Sequence, residues 1–295
     1  MVNTAGKIGI FDILRTLPPF MMRRDRGVRA NLVSYKSGDL KLTAWLYLPA
    51  TGKIERAKPA HPLDRPAPDG GALVVGHGGI EGVPSHYDVC LRRLAEAGWT
   101  VAAPSFRGED GSEGEVEFAL GEVDDMLACW NAASQLPDVD PRRTWLLGSS
   151  HGAMACMLAL GRDDLPPEIP GAIAGWGVYN VGGWLDWMEE IDHPMLSEPH
   201  FMKMLGLDDS ALAARSAIEV ADRIERAVFL LHGSKDTLVP PQQMLDMAEA
   251  FERSGKRNYD LQLEPGADHE YIWGPDRPEA IDGWSAIMDF IDKHK

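Results

Sequence analysis

Ser150 stands at the centre of Gly148-Ser149-Ser150-His151-Gly152, between an apolar run, Trp145-Leu146-Leu147, and a segment of small residues carrying Ala153, Ala155 and Ala159. The pattern G-x-S-x-G between a strand and a helix is that of a nucleophile elbow. An abrupt strand-to-helix turn crowds the residues flanking its centre, so those positions need minimal side chains. The serine hydroxyl is thereby held clear of the backbone at a helix N-terminus, where partly positive N–H groups favour developing negative charge.

A serine hydroxyl is a weak nucleophile without a base, and the base needs an acid to orient it. Two residues at the ends of later strand-like runs meet those needs. Val228-Phe229-Leu230-Leu231-His232-Gly233-Ser234-Lys235-Asp236 places Asp236 in a loop just past a strand. Leu261-Gln262-Leu263-Glu264-Pro265-Gly266-Ala267-Asp268-His269 does the same for His269. The order Ser150, Asp236, His269 is the one expected where a serine elbow lies on an α/β sheet. Asp268 is a rival acid, but neighbouring residues in an extended loop point apart, so it would orient the ring poorly. His232 is a rival histidine that could bond locally beside Asp236. The oxyanion of a tetrahedral intermediate needs N–H donors. One should be the backbone of His151, directly after the serine; the other should come from His77-Gly78-Gly79, with Gly79 preferred to Gly78. His77 is expected to hold that loop.

The elements that must carry these residues can be read from the same pattern. Ala72-Leu73-Val74-Val75, Trp99 to Ala103, 143–147, Ala172 to Trp176, Val228 to Leu231 and Tyr259 to Leu263 are strand-like. Helical stretches at 87–97, 116–136, 241–254 and 278–294 alternate with them. Continuous apolar strands alternating with helices describe a mostly parallel sheet covered on both faces. Before it, 31–48 reads as a hairpin around Ser37-Gly38-Asp39. Residues 49–71, rich in proline and glycine, read as an exposed excursion. Residues 8–17 read as a short amphipathic helix stopped by Pro18-Pro19, within an N-terminal helical extension over 1–30 that would cover the core edge, the preferred reading, form part of an active-site rim or sit at a dimer contact.

Composition bounds the partners. With 44% apolar and 25% charged residues the 295-residue chain is an ordinary globular one, long enough for one large α/β domain or two small ones. Its 29 basic residues against 45 acidic ones give a net charge of −16, which argues against nucleic acid or an anionic membrane as the main partner. Cys90, Cys129 and Cys156 show no C-x-x-C spacing and an odd count, so buried thiols in a reducing, cytoplasmic setting are expected. The N-terminus lacks the order of a signal peptide. No run approaches the roughly 20 apolar residues that span a bilayer.

These motifs together resemble the α/β-hydrolase superfamily, in the serine-hydrolase branch of prolyl-oligopeptidase-type domains and related esterases. The residues that carry the resemblance are His77-Gly78-Gly79, Ser105-Phe106-Arg107-Gly108 with Gly111 and Gly114, Gly148 to Gly152, His232 to Asp236, and Asp268-His269. They span most of the chain, about 72 to 295. The resemblance implies an α/β-hydrolase fold with an eight-stranded sheet, a Ser150-Asp236-His269 triad, no cofactor, and hydrolysis of esters or amides. Two departures weigh against a peptidase. Only some 70 residues precede the first matching motif, too few for the propeller of the oligopeptidases. The elbow continues Gly152-Ala153 where peptidases of the branch commonly show two glycines.

The expectation is a single α/β-hydrolase domain over 1–295, with a helical lid inserted at 177–226. Aromatic residues gather at that insertion, and Trp176, Tyr179 and Trp184 are the candidates to touch a substrate there. Glu189-Glu190 would suit a substrate amine, although a solvated helix face accounts for them as well. The chemistry indicated is cleavage of a small ester through an acyl-enzyme, with a short peptide as the other substrate class. A hydrolase-fold protein turned binding module would be expected to have lost a member of the triad, and all three are present here.

Overall fold

From Ala72 to Gly233 the apolar runs are buried throughout and the segments between them carry one or more apolar faces, which is what a sheet covered on both sides requires. The computed structural model describes residues 6–16, 27–49, 59–206 and 208–295. Ten strands form one sheet: β1 (Gly6–Ile8), β2 (Phe11–Thr16), β3 (Arg29–Ser37), β4 (Leu40–Leu48), β5 (Ala72–Gly76), β6 (Thr100–Ser105), β7 (Thr144–Ser149), β8 (Gly171–Gly175), β9 (Ala227–Gly233) and β10 (Tyr259–Glu264). Their spatial order is β1-β2-β3-β4-β6-β5-β7-β8-β9-β10. The pairs from β1 through β4 to β6 are antiparallel, and those from β6 to β10 are parallel.

Successive side chains of a strand face opposite sides, and the two cores follow. Leu73, Val75, Trp145 and Leu147 pack with α1 (Asp88–Glu96) and α8 (Pro278–Lys293). Val74 and Leu146 pack on the other face with α2 (Gly121–Ser134), α3 (His151–Leu160) and α7 (Gln242–Ser254). The chain leaves β5 toward β6 on one side and leaves β7 toward β8 on the other, so the carboxyl ends of the adjacent β5 and β7 form a topological switch point. The His77 loop and Ser150 sit there.

Between β8 and β9 the chain makes a helical insertion of α4 (Val181–Glu190), α5 (Pro199–Leu205) and α6 (Asp209–Arg215). Asn180 caps α4 by accepting the Gly183 N–H at 3.0 Å. Buried Arg215 hooks the insertion to the loop before α2, donating to the carbonyls of Phe118, Glu117 and Met204, each at 3.0 Å.

Two expectations are corrected. Residues 8–17 are not a helix: β1 and β2 form a hairpin through Gly9 (φ +60°), and β2 pairs with β3. Phe11 is buried and Asp12 exposed, the alternation of a strand with one face on the core. These two strands also make the sheet ten-stranded and not eight-stranded. The rest of the expected extension, 1–5 and 17–26, lies outside the described residues, as do 50–58 of the proline-rich excursion. The described part of that excursion is anchored, with Leu63 buried and Asp64 paired to Arg93 at 2.8 Å. Among the described residues no helix is long and apolar enough to cross a membrane.

Candidate active site

The elbow has the geometry its sequence demands. Ser150 lies at φ 52°, ψ −113°, between β7 and the first turn of α3. Its N–H donates to Gly175 O at 2.9 Å, and its carbonyl accepts from Ala153 and Met154. The crowding is concrete: a Cβ on Gly148 would stand 2.4 Å from Gly152 O, and one on Gly152 would stand 2.2 Å from Gly76 O. Strain of this kind persists only where surrounding bonds hold it.

Asp236 and His269 are brought together. His269 Nδ1 lies 2.6 Å from Asp236 Oδ2. Asp236 is buried, and its Oδ1 accepts the N–H groups of Leu238 and Val239 at 2.9 Å. Burial alone would raise its pKa. Hydrogen bonds from His232 and His269 and from the Val239 backbone outweigh it and hold the carboxyl well below the usual carboxylate range. The acid is therefore ionised, the His269 proton sits on Nδ1, and Nε2 is the basic nitrogen. The hydroxyl of Ser150 makes no hydrogen bond to a described residue, so the serine–histidine contact is not formed in this rotamer. Such contacts are commonly loose in a free enzyme. Asp268 points elsewhere, to Arg277 at 2.8 Å. His232 lies under the acid, with Nε2 3.3 Å from Asp236 Oδ2 and 2.9 Å from Val239 O.

The two expected oxyanion donors are linked through one ring. The N–H of His151, in the first turn of α3, has no intrahelical acceptor, and that of Gly79 makes no hydrogen bond to a described residue. His151 Nε2 accepts the Ala119 N–H at 3.0 Å, so its proton is on Nδ1, 3.0 Å from Gly79 O. Burial drives the pKa of this imidazole down to about 4, which keeps it neutral. Gly79 has φ +74°, and the space where a Cβ would project is open. On the same loop His77 Nε2 lies at ion-pair distance, 2.8 Å, from buried Glu109. Nothing in the sequence marked Glu109 as its partner.

The candidates for substrate contact are all buried. Tyr179 donates to Ala174 O at 3.0 Å within the sheet layer. Trp184 donates to Leu238 O at 3.2 Å, and its ring neighbours Phe118 and Phe201. Trp176 stands edge-on to His269, centroids 6.2 Å apart, and donates to Ser149 Oγ. Glu189 and Glu190 are exposed at the end of α4. Sequence reasoning missed Tyr87, Glu270 and Trp273, which meet Ser149 behind the elbow. Only the place of Ser149 inside the motif could have pointed to them. Among the described residues no cluster of three His, Cys, Asp or Glu side chains stands at metal-binding spacing.

Known proteins of similar sequence and shape bear on this constellation. The model of the prolyl oligopeptidase family matches residues 85–295. A Salmonella typhimurium protein provisionally named a carboxymethylenebutenolidase is 25% identical over 78% of this chain and 81% of its own length. The uncharacterized peptidase YuxL of Bacillus subtilis is 24% identical over 74% of this chain, which spans only 34% of that protein. A puromycin-hydrolyzing peptidase of Mycobacterium tuberculosis superposes with a TM-score of 0.69 and 20% identity, over 90% of this chain and 39% of the other. The chain thus spans well under half the length of these two peptidases.

Proposed function

Because this chain belongs to the prolyl oligopeptidase family and is a hydrolase of it, we propose that it cleaves carboxylic esters through a serine nucleophile and an acyl-enzyme. The observation that carries the reading is the buried Asp236–His269 pair, 2.6 Å apart, on the loops beside a strained serine elbow. His269 Nε2 takes the hydroxyl proton as Ser150 Oγ attacks the carbonyl carbon. Asp236 holds the imidazole and stabilises the imidazolium that forms. The N–H groups of His151 and Gly79 receive the oxyanion. His269 then returns the proton to the leaving alkoxide, and water attacks the acyl-enzyme with the same histidine as base.

Two features favour esters. Glu189 and Glu190, the acids suited to a peptide amine, are on the solvated end of α4. The chain also covers 81% of the relative provisionally named a carboxymethylenebutenolidase. An amide or peptide substrate is the second reading, supported by the peptidase names among the relatives. The helical insertion at 177–226 is the proposed lid. We place the acyl or alcohol group of the substrate near Trp176, whose ring borders His269.

The test sets p-nitrophenyl esters of short and medium chain against aminoacyl anilides, with Ser150→Ala beside the native protein. Ester turnover should fall by a factor of about 10³ or more in the variant, as removal of a nucleophile does. Anilide turnover exceeding that of esters would move the assignment to a peptidase. Ester turnover that survives in Ser150→Ala would remove the serine mechanism.

A further inference from the structure

The loop after β10 brings a second carboxylate to the site. Glu270 follows the candidate base directly and has φ 59°, a left-handed conformation that a non-glycine residue keeps only where its surroundings hold it. Its Oε1 accepts the Tyr87 hydroxyl at 2.6 Å and lies 3.4 Å from Ser149 Oγ. Tyr87 Oη and Ser149 Oγ are 2.8 Å apart. Ser149 Oγ also receives the indole N–H groups of Trp176 and Trp273, at 2.9 and 3.3 Å. The Gly78 N–H reaches Tyr87 Oη at 3.4 Å.

The protons in this cluster can be assigned. Tyr87 has one, and the 2.6 Å contact to Glu270 Oε1 is its shortest. Burial, and after it the Glu270 charge, push the phenol pKa well above its ordinary value, so Tyr87 keeps that proton. The Ser149 hydroxyl then donates to Tyr87, and its oxygen is free to take both indoles. Every donor is satisfied, and the chain of bonds ends on Glu270 Oε1.

Independent of these bonds, the backbone is built around the same carboxylate. A Cβ on Gly78 would stand 2.5 Å from Glu270 Oε1 and 3.2 Å from Ser150 Cβ. The elbow, the oxyanion loop and this side chain therefore converge on one point.

We infer that Glu270 is a positioning residue of this site, fixing the loop of His269 against the elbow of Ser150 and the loop of Gly78-Gly79 through Tyr87 and Ser149. It acts as the terminal hydrogen-bond acceptor, one side chain tying three loops from the ends of β5, β7 and β10. The inference rests on the serine-hydrolase reading above.

The test compares Glu270→Ala, Glu270→Gln and Tyr87→Phe by kcat, KM, thermal midpoint and the rate at which a fluorophosphonate labels Ser150. Native protein and Ser150→Ala run alongside. Glu270→Ala and Tyr87→Phe should lower kcat and the labelling rate by about 100-fold, the cost of misplacing reacting groups by an ångström, with KM within about threefold. Glu270→Gln keeps an acceptor oxygen at the same reach and should recover to within about tenfold of native. If Glu270→Ala does not fold, Tyr87→Phe, which removes one buried oxygen, decides alone. A loss confined to KM would overturn the inference and make Glu270 a substrate-binding acid. Labelling at the native rate in the variants would overturn it too. Native protein that is not labelled at all would overturn the serine reading instead.

Discussion

His151 combines two jobs at residue scale: its backbone N–H faces the proposed oxyanion, and its neutral ring bridges Ala119 and Gly79. Protonating the ring would turn Nε2 from acceptor to donor against the Ala119 N–H. In the unfolded chain a histidine takes its proton near pH 6.5, whereas the buried ring resists until about 4. Between those values the unfolded state holds more protons, so stability falls as pH falls, by about 3 kcal/mol in all. Urea unfolding from pH 7 to 4 should show this, and the slope in His151→Gln should be shallower by up to one proton. Equal slopes would mean the ring is not held neutral. The site was legible to the extent that residue type and position coincide: Ser150, Asp236 and His269 each follow a strand. Glu270 was not, because a glutamate after a loop histidine looks like any solvated acid until Tyr87 is known to lie beside it. Asp236 was separable from Asp268 on direction alone, and Asp268 does pair outward with Arg277.

At the scale of elements, the elbow is a contact between two strands and a helix with no room for side chains. Gly152→Ala would drive a methyl to 2.2 Å from Gly76 O, a backbone atom in the middle of the sheet. That overpacking should cost about 1–3 kcal/mol or more. It should also slow fluorophosphonate labelling, because the His77 carbonyl that receives the Gly152 N–H must move. Gly175→Ala is the matched control: its nearest neighbours would be 3.6–3.8 Å away, ordinary contact, so its urea midpoint should stay close to native. Similar losses in both would show that crowding at the elbow is not what selects glycine. The same strands show where sequence reading loses its grip. β5 to β9 announce themselves as apolar runs that end in glycine or a polar loop, and β10 by the alternation Leu261-Gln262-Leu263. The segment at 8–17 is short, and Ile8, Phe11 and Ile13 suit a helix face as well as strand alternation. What decides it is pairing with β3, a partner some twenty residues away in sequence, and a short segment contains no record of that.

At the scale of the whole molecule, the sheet divides the interior into two cores, and the three cysteines sample both. Cys90 on α1 lies in the core shared with α8, while Cys129 on α2 and Cys156 on α3 lie in the other. All three are buried, and burial pushes their thiols up, Cys90 to about 12. A thiol reagent acts on the thiolate, so native protein should give no reaction at pH 8. If the sheet makes the two cores one cooperative unit, a single free energy governs exposure on both sides. The three thiols should then become reactive together across the urea transition seen by far-UV circular dichroism. Each strand from β5 to β9 supplies side chains to both cores, so one layer cannot be stripped without exposing the buried backbone that the other rests on. Reaction of Cys90 at lower urea than Cys129 and Cys156 would contradict that coupling. It would mean that α1 and α8 open separately, taking with them the Tyr87 and Trp273 side chains that hold Ser149. Labelling of Ser150 by fluorophosphonate would then decline before the rest of the fold, which the same titration would show.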